Sequence, residues 1–339
     1  GLVRRPGLVL KNAQGVYDRV ALYKNKKEME PLYVLENEQF VTGIIDETYK
    51  GEEVVLANRN MRLMNLAKDG SKFQLYISPT MNIAADDFWS PKALHKLITE
   101  HIGFPPPTSM IYGKDIELKS KTMLACWQAS ADWQAASLNY LMSHEGYEVV
   151  FSHFHNVDLQ GHTYLTFIPD GTEKTSAQDY LAFSKQIYQQ TDAYIGQFLH
   201  FLDEGWTILV VSDHGLIVGE NVPPILGEYG GLNTKVMEEL GYTVLKKDEN
   251  GQSIREVDWE KTRAVQIRSN YIYINLKGRD AHGIVDPADK YDLEEQIISD
   301  LYNYRDDRTG KRVVGICLRN KDGVLLGVNG PECGDIFFS

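Results

Sequence analysis

Trp206-Thr-Ile-Leu-Val-Val-Ser-Asp-His-Gly215 joins an apolar, strand-like run to a carboxylate and an imidazole that stand side by side. An apolar run of this length, rich in β-branched residues and closed by a glycine, is typical of a buried strand. Open α/β sheets carry their chemistry beyond the carboxyl ends of their strands. The sequence therefore predicts that Asp213 and His214 lie at that edge of a sheet.

A second polar cluster lies upstream, directly after another strand-like run over residues 147–152. It includes Asp158 and His162, which are four residues apart and so share one face of a helical turn. Gly161 lets the loop turn tightly between them. A helix predicted over residues 176–202 separates the two apolar runs. This strand-helix-strand order predicts two strands of one parallel sheet.

Two Asp/His pairs at two strand ends indicate a two-metal site. Zinc and manganese accept both carboxylate oxygen and imidazole nitrogen, and two ions about 4 Å apart can clamp a phosphoryl group. Taken alone, each pair has a simpler interpretation. Asp213 is a typical helix N-cap with an exposed histidine beside it, and a single Asp-x-x-Gly-His segment is weak support for a metal. The metal hypothesis depends on finding both pairs in this order.

Composition narrows the class of protein. The 339 residues suffice for one large α/β domain with an insertion, or for two domains. A net charge of −12 argues against binding to a nucleic-acid polymer. The three cysteines are widely spaced, which argues against a disulfide framework, and no apolar run is long enough to span a membrane. We expect a cytoplasmic protein, although a start at Gly rather than Met is compatible with a removed targeting segment.

Residues 1–110 are predicted to form a β-rich cap or accessory module, because short apolar runs alternate there with turn signals. Residues 111–339 are predicted to form an α/β core with an insertion around 220–283. Helices are expected over 92–100, 129–144 and from Asp286 to about Leu301, and a strand is expected over 271–275.

The paired motifs resemble those of the alkaline phosphatase superfamily, in particular its type I phosphodiesterase/nucleotide pyrophosphatase group and the branch of predicted phosphohydrolases and phosphomutases. Further stretches are similar to that branch, so the likeness extends over most of the chain. These stretches are Leu75–Pro79, Asn270–Asp280, Gly283–Pro287 and Tyr304–Gly310. The resemblance implies an alkaline phosphatase-like α/β sandwich with a mainly parallel sheet and a β-rich cap.

The resemblance also implies metal-dependent phosphoester hydrolysis of a phosphorylated small molecule or a nucleotide-like substrate. One ion would be held by Asp158 and His162 and the other by Asp213 and His214. Zinc is the expected metal and manganese the alternative, and either site could be partly or wholly empty in this chain. The alternative functions are a phosphomutase, a sulfatase-like enzyme, or a module that binds a phosphorylated ligand without turnover.

The chain departs from the family pattern in one respect that bears on catalysis. Residues 1–90 contain no segment similar to the family's Asp-Gly pair and its Thr or Ser nucleophile, and the chain ends about where the last His ligand is expected. We therefore expect an internal piece of a longer enzyme, inactive in isolation. Lys277 and Arg279 are candidates for neutralising a substrate phosphate, since guanidinium groups bind phosphate oxygens in a forked geometry, and His282 is a candidate for lining the substrate cleft. For His282, an exposed loop position is the simpler interpretation, and a solvated loop explains Lys277 and Arg279 equally well.

Overall fold

The first eighty residues form antiparallel strands, as their turn-punctuated pattern predicts. The computed structural model describes residues 4–216, 232–233, 235–267, 270–307 and 309–339. One sheet has the order β1-β2-β3, and a second has the order β4-β5-β6 with β7 also paired to β5. The strands are β1 (Gly7–Lys11), β2 (Tyr17–Leu22), β3 (Tyr33–Glu36), β4 (Phe40–Lys50), β5 (Glu53–Met64), β6 (Gln74–Ile77) and β7 (Met81–Asn82).

Four helices follow these strands. They are α1 (Ala93–His101), α2 (Ile116–His144), α3 (Asn156–Gly161) and α4 (Ala177–Gly196), and short 3-10 helices cover Leu165–Phe167 and Leu199–Glu204. The Asp115 side chain begins α2 by accepting the Leu118 N–H at 2.9 Å. Ser176 and Asp179 form a capping box that begins α4. The predicted helices over 92–100 and 176–202 are thus confirmed in position, while α2 begins well before the predicted residue 129.

The strands and helices of this part of the chain pack on one another. Asn60 of β5 donates through Nδ2 to the Pro107 carbonyl at 2.9 Å, and Arg62 donates to the Lys121 carbonyl on α2 at 2.6 Å. Tyr164, Tyr180 and Phe183 are buried together between α4 and the segment after α3. These contacts fix α3, which carries the first candidate motif, against α4.

The two apolar runs that precede the candidate motifs are not strands. Residues 147–152 and 206–211 have no regular secondary structure. Their apolar side chains face solvent, with Phe151 86% and Leu209 83% exposed. A short apolar run forms a strand only where a neighbour completes its hydrogen-bond ladder, and no described strand pairs with either run. The strand predictions for these two runs are therefore wrong.

The last third of the chain contains both strands and helices. Its five-stranded sheet has the order β13-β14-β12-β11-β8, β9 and β10 form a separate hairpin, and a 3-10 helix covers Asn320–Leu326. The elements are β8 (Leu232–Asn233), α5 (Lys235–Glu239), β9 (Leu245–Lys247), β10 (Ser253–Val257), β11 (Ala264–Ile267), β12 (Tyr271–Ile274), α6 (Lys290–Asn303), β13 (Cys317–Arg319) and β14 (Ile336–Phe338).

A hydrophobic core joins α6 to this sheet. Leu293, Ile297 and Leu301 recur along one face of α6, as a helix packed on a sheet requires, and they are buried with Ile272 and Phe338 of the strands. The strand predicted over 271–275 and the helix predicted after Asp286 are confirmed. This layer of helix on sheet fits the predicted α/β class.

The chain divides into two compact units, Gly1–Gly219 and Glu220–Ser339. The predicted division into a cap over 1–110 and a core over 111–339 stays a prediction. All ladders between described strands are antiparallel, so the predicted mainly parallel sheet is not confirmed. None of the helices in the described part of the chain is long and apolar enough to cross a membrane.

Candidate functional site

The short helix α3 presents two different faces. Asn156 and Gln160 are fully buried on one face. The Asn156 amide donates to the Ile187 carbonyl and to Thr191 Oγ1, both at 3.1 Å on α4, and Gln160 donates to the Asn156 side-chain oxygen. Because both residues are hydrogen-bonded inside the protein, they hold α3 in one orientation against α4. The other face carries the candidate ligands.

Asp158 and His162 are neighbours on that second face, as their spacing predicts. His162 Nε2 lies 3.2 Å from Asp158 Oδ1, and the His162 side chain is 54% exposed. Oδ1 is buried, yet it has no correctly aligned hydrogen-bond donor among the described residues. Buried carboxylate oxygens are normally satisfied by donors or cations. An unsatisfied carboxylate oxygen beside an accessible imidazole has the donor chemistry of half a divalent-metal site.

The second motif is held by hydrogen bonds within its own loop. The ring nitrogen Nδ1 of His214 donates to the Gly215 carbonyl at 2.9 Å, and Ser212 Oγ donates to the His214 carbonyl at 2.8 Å. Because a carbonyl can only accept, Nδ1 carries the proton and Nε2 keeps its lone pair in the neutral ring. Nε2 lies 3.6 Å from Asp213 Oδ2. Metal-binding histidines are commonly oriented by this kind of Nδ1–H to carbonyl bond.

The charges around His214 favour its protonated form. The hydrogen bond to the Gly215 carbonyl and the Asp213 carboxylate raise the pKa of His214, and the carboxylate of Asp158 contributes in the same direction. The influence of Asp158 on His214 means that the first motif lies close enough to act electrostatically on the second. Two carboxylates near one imidazole also make the site attractive to cations.

A close contact joins the two motifs directly. A Cβ atom on Gly161 would lie 2.6 Å from Leu216 Cδ1 and 3.3 Å from Leu165 Cδ1. A side chain at this position of α3 would have to displace the end of the Leu216 side chain, which glycine leaves undisturbed. The structure thus brings Gly161 of the first motif close to Leu216, the residue after the second motif, and neither motif lies at the edge of a described parallel sheet. Among the described residues, no group of three or more His, Cys, Asp or Glu side chains is arranged to hold one ion.

The remaining candidates lie in the second unit. The Arg279 guanidinium is paired with Asp335 at 2.7 Å and Asp280 at 3.1 Å, and it also donates to the Ile274 carbonyl. These partners already occupy most of its donors. His282 is exposed in the loop between β12 and α6, and its carbonyl accepts from Asn275 Nδ2 at 3.0 Å. A substrate-binding role for Arg279 and His282 stays a prediction.

Two further histidines lie just before α3. The rings of His153 and His155 are 3.8 Å apart between centroids, and both residues are exposed. His155 occupies the N-cap position of α3, but its side chain makes no capping hydrogen bond. The His155 imidazole therefore does not cap the helix.

The comparison with known families agrees with the motifs. The family model of type I phosphodiesterase / nucleotide pyrophosphatase matches residues 21–324. The chain belongs to this family. The match includes both candidate motifs and parts of both compact units. Searches among curated proteins and among solved structures found no match.

The sequence interpretation missed the residues that support the site. Asn156 and Gln160 share the i, i+4 spacing of Asp158 and His162 on the opposite face of α3, and this doubled spacing is a signal that the sequence does contain. Leu216 gives no comparable signal, because its role depends on the fold bringing it against Gly161.

Proposed function

We propose that the chain carries the metal-binding part of a phosphoester hydrolase site. Asp158 and His162 hold one divalent ion, and Asp213 and His214 hold a second. The observation that supports this proposal is the proximity of Leu216, the residue after Ser212–Gly215, to Gly161 of α3. Membership of the phosphodiesterase / nucleotide pyrophosphatase family supports the reaction class.

The donor set fits zinc best and manganese second, since each pair combines one carboxylate with one imidazole. When bound, such ions act as Lewis acids on phosphate oxygens and lower the pKa of an attacking oxygen. The four side chains hold the ions. The hydrogen bond from His214 Nδ1 to the Gly215 carbonyl fixes the tautomer of that ring and leaves Nε2 available to the metal. The expected substrate is a phosphorylated small molecule or a nucleotide-like compound.

Local positive charge is needed because the protein as a whole repels phosphate. The net charge is −12, and the carboxylates of Asp158 and Asp213 stand in the site itself. Without cations, these carboxylates would oppose any phosphate ester. We therefore expect ligand binding to require added metal, and we expect the metal to be weakly held, since each ion has only two recognised protein ligands.

The test is a calorimetric titration of chelator-treated protein with zinc, followed by titration with AMP in the presence and absence of zinc. Asp158→Asn and Asp213→Asn should each weaken zinc binding about tenfold or more. The control is Asp203→Asn, which removes an exposed carboxylate from a 3-10 helix of the same unit.

Zinc affinity equal in all four proteins would contradict the proposed ligand set. AMP binding that does not depend on zinc would contradict a metal-bridged phosphate site. Zinc-dependent AMP binding without turnover of aryl phosphodiesters would favour the phospho-ligand binding module over the hydrolase.

A further inference from the structure

Lys119 is a buried cation that the proposed site does not use. It lies in the second turn of α2 and has 0% exposed surface. Its Nζ atom donates to the carbonyl of Thr163 at 3.0 Å and to the carbonyl of Ile111. No carboxylate of a described residue lies within ion-pair distance of Nζ. The helix N-cap Asp115 acts on the ammonium only through its charge, in the direction that raises its pKa.

A lysine in this position is costly for the fold. Burial lowers the pKa of Lys119 to about 8, because the dry surroundings disfavour the charged ammonium. A hydrophobic side chain of similar volume often replaces a buried charge without loss of stability. Packing alone therefore does not explain Lys119, and its two carbonyl partners indicate what the ammonium does.

Those partners fix the main chain beside a candidate ligand. Thr163 directly follows His162 and closes the end of α3, since its N–H and Oγ1 both donate to the Gln160 carbonyl at 3.0 and 2.8 Å. The remaining polar group of the Thr163 backbone, its carbonyl, accepts from Lys119. Hydrogen bonds of Thr163 thus define the path of the chain as it leaves α3, one residue from His162.

We propose that Lys119 is a positioning residue, which fixes the backbone after α3 so that the His162 imidazole and the Asp158 carboxylate face the same ion. This inference rests on the proposed function, because it assigns Lys119 a role in the affinity of that site for metal. The ammonium is suited to this role because it can serve two carbonyls at once, from the segment before α2 and from the segment after α3.

The experiment compares zinc affinity, measured by competition with a chromophoric chelator, in three variants of the full chain. Lys119→Met removes the donor and keeps a similar volume, and should weaken zinc binding about 10–100-fold, the usual effect of losing support behind a ligand. Lys119→Arg keeps a cationic donor and should remain within about threefold of wild type. Thr122→Val is the matched control, because Thr122 is equally buried one turn along α2 but donates only to Leu118 of its own helix.

Cobalt absorption and urea unfolding separate positioning from a general loss of structure. We expect the d–d spectrum of bound cobalt to change in Lys119→Met and to stay unchanged in Thr122→Val. This difference should hold even if Thr122→Val lowers the urea midpoint of unfolding more than Lys119→Met does. If Lys119→Met does not fold, Lys119→Gln, whose shorter amide cannot serve both carbonyls, takes its place with an expected loss of at least about threefold.

Unchanged zinc affinity in folded Lys119→Met or Lys119→Gln would overturn the role of Lys119 and leave the proposed function standing. Equal losses in Lys119→Met and Thr122→Val would show a structural role only. Absence of zinc binding by the wild-type chain would overturn both proposals.

Discussion

Substitution of Gly161 by alanine tests the contact between the two motifs. In a helix, alanine is favoured over glycine by about 1 kcal/mol. Here the new methyl would lie 2.6 Å from Leu216 Cδ1, well inside van der Waals contact. Overpacking of this kind costs about 1–3 kcal/mol, so Gly161→Ala should lower the free energy of unfolding by up to about 2 kcal/mol. Because the strain acts between the two motifs, zinc affinity should fall as well.

A double-mutant cycle with Leu216→Ala isolates this contact. Shortening Leu216 removes the atom that the alanine methyl would meet, so the pair of substitutions should be less destabilising than their sum by about 1–2 kcal/mol. Urea unfolding of the wild type, both single variants and the double variant measures this difference. Additive effects, or a Gly161→Ala variant stabilised by the full helix propensity, would refute the contact of Leu216 with α3.

Three further predictions follow from other contacts. The pKa of His214, followed by NMR, should lie above its ordinary value and should fall in Asp213→Asn. The contribution of His214 to the free energy of unfolding is present at pH values below about 6.5 and is lost as the pH rises through the raised pKa. Burial alone would raise the pKa of Asp335, but hydrogen bonds from Arg279 and the Ile274 N–H hold this pKa below its ordinary value. The contribution of Asp335 to the free energy of unfolding is therefore present above about pH 4 and is lost as the pH falls through the lowered pKa. Asp335→Asn should accordingly reduce the free energy of unfolding, measured by urea denaturation near neutral pH, by about 2 kcal/mol. This loss is smaller than for a fully buried ion pair because the Arg279 side chain is 41% exposed. An unchanged unfolding midpoint would contradict this prediction. With added zinc, the chain should hydrolyse aryl phosphodiesters very slowly if, as the sequence predicts, the family's nucleophile is missing. Rapid turnover abolished by Asp213→Asn would contradict this prediction.

Local sequence signals predicted most of the regular elements correctly. Turn residues between short apolar runs correctly predicted that the first part of the chain is rich in strands, although β4 itself has a weak strand signal. In that strand, a register shift between Val41 and Ile44 and a left-handed Gly43 interrupt the alternation that reveals a strand. The first half of α2 was missed because buried polar residues, Lys119 and Thr122, occupy its inner face and obscure the apolar periodicity.

The errors at the candidate site have a different origin. The runs over 147–152 and 206–211 have the composition of strands, but a strand requires a neighbour, and the composition of one run does not report whether a neighbour is present. The spacing of Asp158 and His162 was readable because it depends on a single helical turn. Their approach to Asp213 and His214 stays a prediction from motif order, whereas the proximity of Gly161 and Leu216 emerges only from packing.

The most direct test of the two-metal site is the anomalous diffraction of a crystal of this chain grown with zinc, measured at the zinc absorption edge. The account predicts two peaks about 4 Å apart, one bounded by Asp158 and His162 and the other by Asp213 and His214. A single peak at another group of side chains, or two peaks far from each other, would contradict it.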